Sequence, residues 1–172
     1  MEHKPIEIIT LPAEEWQAYK AFRLEALLDS PRAFGSSYQE STTRPDSHWQ
    51  GRLEESAKGE AQWMLFAREG QRLVGMIGAF RKEDQPDTAH IISVYVAADA
   101  RGRGISKLLM NAILARLKAA GVKKAELSVV VDQLPALALY QSSGFVIIGK
   151  ESRLLGDGEY HDEYDMVKDL QP

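Results

Sequence analysis

The 172-residue chain carries 44% hydrophobic and 27% charged side chains and a net charge of −4, the profile of one ordinary globular domain able to bury a core. Cysteine is absent, which excludes disulfides, thiolate metal sites and a cysteinyl covalent intermediate. The negative balance argues against general nucleic-acid binding, and no apolar run reaches the roughly 20 residues that cross a bilayer.

The start, Met1-Glu-His-Lys-Pro5, lacks the charged-then-apolar pattern of a secretory signal, so a cytoplasmic protein is expected. Ile6 to Thr10 predicts a short edge or end strand. Pro12 opens a helix with Glu14 and Glu15 in its first turn, where the helix dipole favours carboxylates. Trp16, Tyr19, Phe22 and Ala26 then recur at three and four, giving one buried face, until Ser30-Pro31 stops the helix. Ala33 to Arg44 reads as a loop with aromatic and carboxylate content. Asp46 or Ser47 caps a second short helix through about Ala57.

Gln62 to Arg68 and Leu73 to Lys82 predict an antiparallel hairpin about Glu69-Gly70-Gln71. Gln85-Pro86-Asp87 turns the chain into His90 to Val96, an apolar, β-branched run that suits a buried strand. A helix follows, with Ile105, Leu108, Leu109, Ala112, Ile113, Leu117 and Ala120 on one face and Gly121 as its left-handed stop. Ala125 to Val131 is again a continuous apolar strand, so this unit is strand–helix–strand and parallel pairing is expected. Asp132 or Gln133 caps a short helix with Pro135 in its first turn, and Gly144 ends it. Phe145 to Leu155 and Tyr160 to Lys168 close the chain as a hairpin about Gly156-Asp157-Gly158. The expectation is a single α/β (mixed α+β) domain over residues 1–172, with about seven strands in one mixed sheet and helices on both faces.

Arg101-Gly-Arg-Gly104 falls between a strand and a helix N-terminus, where unpaired N–H groups, the positive end of the dipole and arginine converge. That pattern suits an anion, a diphosphate above all, although a plain glycine turn with solvated arginines has the same composition. It is not a P-loop, and a dinucleotide fingerprint would need glycine where Lys107 stands. Glu126 also begins a strand instead of ending one, so it does not suit the ribose-binding acid of that fingerprint. His3, His48, His90 and His161 lack metal-ligand spacing, and no metal is expected.

A second run, Gln133-Leu-Pro-Ala136-Leu-Ala-Leu139-Tyr140-Gln-Ser-Ser-Gly144-Phe145, gives the turn its context. Arg101-x-x-Gly104-x-Ser106 resembles the coenzyme-A signature of the GCN5-related N-acetyltransferase (GNAT) family. The later run resembles that family's Asn-x-x-Ala-x-x-Leu-Tyr-x-x-x-Gly-Phe segment, with Gln133 in place of asparagine and Ser106 in place of the usual Gly or Ala. The strand order fits the family's acetyl-CoA N-acyltransferase-like fold along nearly the whole chain.

The resemblance implies that Arg101, Gly102, Arg103, Gly104, Ile105, Ser106 and Lys107 wrap the pyrophosphate of acetyl-CoA, largely through backbone N–H groups. It implies that Val94, Tyr95 and Val96 meet the pantetheine arm, where the central strand parts from Ala125–Val131, and that Gln133 and Tyr140 contact the cofactor. Tyr140 matches the general acid: a phenol of pKa about 10 can protonate a thiolate leaving group of pKa about 8.5. Glu40 is a candidate base or acceptor contact, and Phe34, Tyr38 and His161 are candidate acceptor-pocket residues. A half-buried aromatic, a loop anchor or solvated polar groups account for the same residues. His90 reads equally as a satisfied strand-end histidine.

The expected activity is transfer of acetyl from acetyl-CoA to a primary amine by direct attack in a ternary complex. The partner is a small-molecule or peptide amine, not nucleic acid or membrane, and a homodimer is compatible with the family. The acidic hairpin from Glu151 to Asp165 hints at a cationic acceptor. Two alternatives keep the same cradle: a non-catalytic acyl-CoA-binding module, and an acyltransferase for a longer acyl chain or an oxygen acceptor.

Overall fold

The computed structural model describes residues 2–171. Its strands are β1 (Ile6–Ile9), β2 (Gln62–Glu69), β3 (Arg72–Arg81), β4 (Thr88–Val96), β5 (Lys124–Val130), β6 (Val146–Leu154) and β7 (Tyr160–Asp169). They form one sheet in the order β1-β2-β3-β4-β5-β7-β6, antiparallel throughout except for the parallel β4–β5 pair. The helices are α1 (Trp16–Asp29), α2 (Tyr38–Thr42), α3 (Asp46–Lys58), α4 (Ile105–Ala119) and α5 (Leu134–Ser142). The mixed seven-stranded sheet with helices on both faces is the architecture expected above.

Each element follows from its side-chain period. Along β2, Phe66 and Ala67 point to opposite faces, as neighbours in a strand must. Phe66 meets Tyr19 of α1 edge-on at 5.7 Å, and Tyr19 in turn meets Trp49 of α3 at 5.3 Å. On the other face α4 buries Ile105, Leu109, Met110, Ile113 and Leu117, a three-and-four spacing that gives one apolar stripe. Gly75 lets α4 come close: a Cβ there would stand 2.9 Å from Leu109 Cδ1 and 3.2 Å from Ile105 Cγ2. The β4–α4–β5 crossover accounts for the single parallel pairing, since parallel neighbours need a long connection.

Three local expectations are corrected. The segment read as a loop from Ala33 to Arg44 contains α2, whose Ser37 hydroxyl accepts from the Glu40 N–H while the Glu40 carboxylate accepts from the Ser37 N–H. Such a reciprocal cap stabilises a turn too short to show a hydrophobic period. The first helix begins as a 3-10 turn, Ala13–Glu15, and becomes α-helical at Trp16, which is only partly buried. Neither Asp132 nor Gln133 caps α5 with its side chain; Asp132 is ion-paired with Arg32 instead. The closing hairpin, expected from the sequence, places β7 beside β5 and β6 at the sheet edge.

Gly75→Val should lower folding stability by about 1–3 kcal/mol through overpacking between α4 and the sheet. A fall in the urea midpoint with unchanged slope is the expected readout; an unchanged midpoint would show that α4 is not seated on this contact.

Candidate active site

β4 and β5 pair only through Thr88↔Lys124, Ala89↔Ala125 and His90↔Glu126. Beyond His90 they part. Between Gly78↔Ile92 and Met76↔Tyr95, β4 carries one residue more than β3, which is a bulge. Ser93 stands in it at φ 59, the one non-glycine residue with positive φ among those described. Such a conformation costs roughly 1–2 kcal/mol in a side-chain-bearing residue, so something must hold it. Arg23 of α1 does: its Nη1 donates to Ser93 Oγ at 2.6 Å in a buried setting. β5 meanwhile stays paired to β7 as far as Val130↔Glu163. The two inner strands therefore open as a V, and Val94, Tyr95 and Val96 lie on the bulged arm. Tyr95 is buried against Phe22 and Phe34, Val96 is buried as well, and Val94 is only partly so.

The bulged arm leads into Arg101–Gly104. Gly102 and Gly104 both take φ 78, and Gly104 stands at the N-cap of α4 with no side-chain cap and no acidic residue in the first turn. Among the described residues, no backbone acceptor meets the N–H groups of Gly102, Arg103, Gly104, Ile105, Ser106 or Lys107. A Cβ on either glycine would meet nothing within 4 Å, so open space lies before these amides. The arginine side chains turn away from it. Arg101 Nε donates to the Val96 carbonyl at 3.0 Å and its guanidinium pairs with Asp29; Arg103 pairs with Glu69 at 2.6 Å. These pairings hold the Asp29 and Glu69 carboxyls below their usual range. The anion-binding capacity of the turn therefore lies in main-chain amides and the α4 dipole, a fit for a diphosphate.

The remaining residues singled out in the sequence divide into those that meet this cleft's walls and those with structural duties. Tyr140, on the helix that follows β5, is buried beside Phe145 with ring centroids 6.3 Å apart, and burial pushes its phenol well above its ordinary value. Phe34 is a core anchor, buried beneath the Arg23 guanidinium 4.4 Å from the ring centroid. Its carbonyl accepts from the Gly156 N–H at 2.8 Å, which ties the α1–α2 connection to the tip of the β6–β7 hairpin. A Cβ at Gly156 would stand 2.9 Å from the Pro31 carbonyl oxygen, so only glycine fits that junction. Tyr38 is half-buried at the start of α2, and Glu40 is exposed in its capping box. His161 is held by Asp157 at 2.6 Å within the hairpin.

One grouping is not drawn from the sequence, although His90, Glu126 and, as a candidate base beside Asp165, Glu163 are each considered there. On the sheet face opposite α4, His90 pairs across β4–β5 with Glu126, whose carboxylate is held by Lys82 at 2.7 Å. Ser128 donates to Asp165 at 2.8 Å, and Arg153 reaches Asp165 at 2.8 and 3.0 Å, Glu163 at 3.4 Å and Glu151 at 3.1 Å. Arg153 holds Asp165 below its usual range; for Glu163, with one long contact, burial wins and pushes its carboxyl up. The strand alternation could have put Glu126 with Ser128 and Glu163 with Asp165. Joining the two pairs required the β5–β7 pairing. His90 has its pKa lowered, chiefly by burial, and stacks beside Phe80 with centroids 5.5 Å apart. Among the described residues, no group of His, Asp and Glu side chains could hold a metal ion, and no helix is long and apolar enough to cross a membrane.

Comparison with known proteins bears on this geometry. The family model described as "Acetyltransferase (GNAT) family" matches residues 22–145. A stretch of 99 residues, 55% of this chain, is 35% identical to mycothiol acetyltransferase from Brachybacterium faecium and spans 29% of that protein. An acetyltransferase of the GNAT family from Streptococcus pneumoniae superposes with a TM-score of 0.83 over 97% of this chain and 100% of that one, at 20% identity. The PaiA N-acetyltransferase from Thermoplasma acidophilum, solved with coenzyme A, gives 0.75 over 96% and 99%, at 16% identity. At these identities the two structures show a shared fold.

Proposed function

Since the chain belongs to the acetyltransferase (GNAT) family, we propose that it is an acetyl-CoA-dependent N-acetyltransferase acting by direct transfer in a ternary complex. The observation that carries this reading is the junction of the V between β4 and β5 with the row of unpaired amides at the mouth of α4. Acetyl-CoA supplies a thioester, from which the acceptor amine takes the acetyl group as a C–N bond forms and the C–S bond breaks.

In this reading the amides of Gly102 to Lys107 hold the diphosphate, and the ion pairs of Arg101 and Arg103 keep the turn in shape. The backbone of Val94 and Val96, left without a β5 partner, bonds the pantetheine arm, with the Val94 N–H serving as an oxyanion donor. Gln133, at the N-cap of α5, lines the same arm. Tyr140 carries the proton that the departing thiolate takes; burial favours its neutral phenol, the form an acid needs. For the proton that the acceptor ammonium must lose, we assign His90 in preference to Glu40. Burial favours the neutral imidazole, which can accept a proton, whereas Glu40 is engaged in capping α2. Positioning two reactants in one cleft supplies a large part of the rate enhancement. The acceptor enters from the face bounded by Phe34–Tyr38 and the β6–β7 hairpin, with Tyr38 and His161 at its rim.

Three substitutions test the assignment. Gly104→Glu puts bulk and negative charge before the amides and should weaken acetyl-CoA at least about tenfold by calorimetry; unchanged affinity would remove the cradle. Tyr140→Phe should lower kcat by about a hundredfold or more while acetyl-CoA affinity stays within about twofold. Full turnover in that variant would strip Tyr140 of its acid role. For His90, the groups facing it are Lys82, Glu126, Arg153, Asp165 and the Phe80 ring. Its folded pKa lies below the ordinary 6.5, so activity should rise with pH through that lower value as the imidazole loses its proton. His90→Gln should abolish this acid limb of the pH profile; an identical limb would assign the base elsewhere.

A further inference from the structure

The acidic hairpin suggests a cationic acceptor when read along the sequence, but three of its carboxylates are already engaged by one arginine. Glu151, Glu163 and Asp165 contact Arg153, and Glu126 contacts Lys82. The opposite wall is the reverse case. Arg23 on α1 is only 9% exposed, and among the described residues no carboxylate pairs with it. Its partners are the Ser93 hydroxyl and the face of the Phe34 ring. Burial lowers its pKa to about 10, and repulsion from Arg52 on α3 adds to the fall.

Arg52 repeats the pattern. Its Nε is buried without a hydrogen-bond partner, and it too has no ion-paired carboxylate among the described residues. His48, one turn before it, has its pKa lowered by burial and then by Arg52, Arg44 and Arg23, so four basic groups share this corner. The nearby Asp46 at the start of α3 is turned to Lys20 at 3.9 Å. A buried guanidinium without an anion is costly, and the chain has 25 acidic residues to 21 basic ones from which a partner could have been drawn. Ser93, which Arg23 grips, adjoins Val94, where the proposed reaction takes place. The uncompensated positive charge therefore lies beside the reacting centre.

Resting on the acetyl-transfer reading above, we propose that the acceptor amine also bears an anionic group, a carboxylate in the amino-acid class, which seats on the Arg23–Arg52 corner. Such a zwitterion meets the groove in one orientation: its carboxylate faces α1 and α3, and its ammonium faces His90 and the carboxylates of β5 and β7. An arginine pair takes a carboxylate through charge-assisted hydrogen bonds, two at a time when planar.

The test uses the full chain with acetyl-CoA and matched acceptors: alanine, methionine and phenylalanine against their carboxamides. The acids should show kcat/KM at least about tenfold above the amides by thiol release, as charge-assisted bonds predict. This preference runs against amine basicity, because the amides hold more of the reactive neutral amine at neutral pH. Arg52→Gln should cut the acid-to-amide ratio at least about fivefold through KM. Equal rates for the two series, a preference for amides, or an unchanged ratio in Arg52→Gln would overturn the proposal. If acetyl-CoA binds and no amine is acetylated, it is the transfer reading that fails. Calorimetry with N-acetylmethionine and N-acetylmethioninamide then decides the carboxylate site separately: tighter binding of the acid supports it, and equal binding overturns it.

Discussion

The cleft depends on one strained residue and the hydrogen bond that restrains it. Ser93 adopts a left-handed conformation in the middle of a strand, and the Arg23 guanidinium holds its hydroxyl at 2.6 Å. Without the extra residue, β4 would continue its parallel ladder with β5 past His90 and Glu126, and no gap would form between them. The bulge spends backbone hydrogen bonds and some conformational energy to leave a row of main-chain groups without strand partners. That is what an extended polar arm needs, since it can pair with backbone as a strand would.

The fold surrounds this gap with rigid parts. On one side α4 is packed down to Gly75, so its N-terminus and the unpaired amides before it have a fixed position relative to the bulged arm. On the other side, β5 is held by β7, and Tyr140 is buried on the helix that follows β5. The far wall comes from two distant segments joined at one point, where the Gly156 N–H meets the Phe34 carbonyl. Loops that would otherwise move independently are thereby tied across the mouth of the cleft.

Charge is distributed unevenly about this frame. Arg101 and Arg103, the obvious anion ligands in the sequence, are engaged with Asp29 and Glu69, so the proposed diphosphate site rests on amides and the helix dipole. Arg153 sits among three carboxylates. Arg23 and Arg52, which carry no motif, have no carboxylate partner among the described residues, and Arg23 is the one that grips Ser93. Side-chain pairing, not side-chain type, decides which cations are available to a ligand.

The sequence by itself determined the order and kind of nearly every strand and long helix, because their signals are local: period two or a continuous apolar run for strands, three-and-four spacing for helices, and glycine at the stops. It also located the glycine turn at the mouth of α4, since positive φ and a missing side chain are properties of individual residues. It did not reveal α2, whose five residues are held by a reciprocal cap instead of a hydrophobic face. Only the tertiary structure decided that β7 lies beside β5, that Ser93 breaks β4, and that His90, Glu126, Ser128, Asp165 and Arg153 share one face. It alone also decided which arginines are neutralised. These are relations between segments distant in sequence, 70 residues apart for Arg23 and Ser93, and pairing across such separations is set by packing of the whole sheet, which no local pattern encodes.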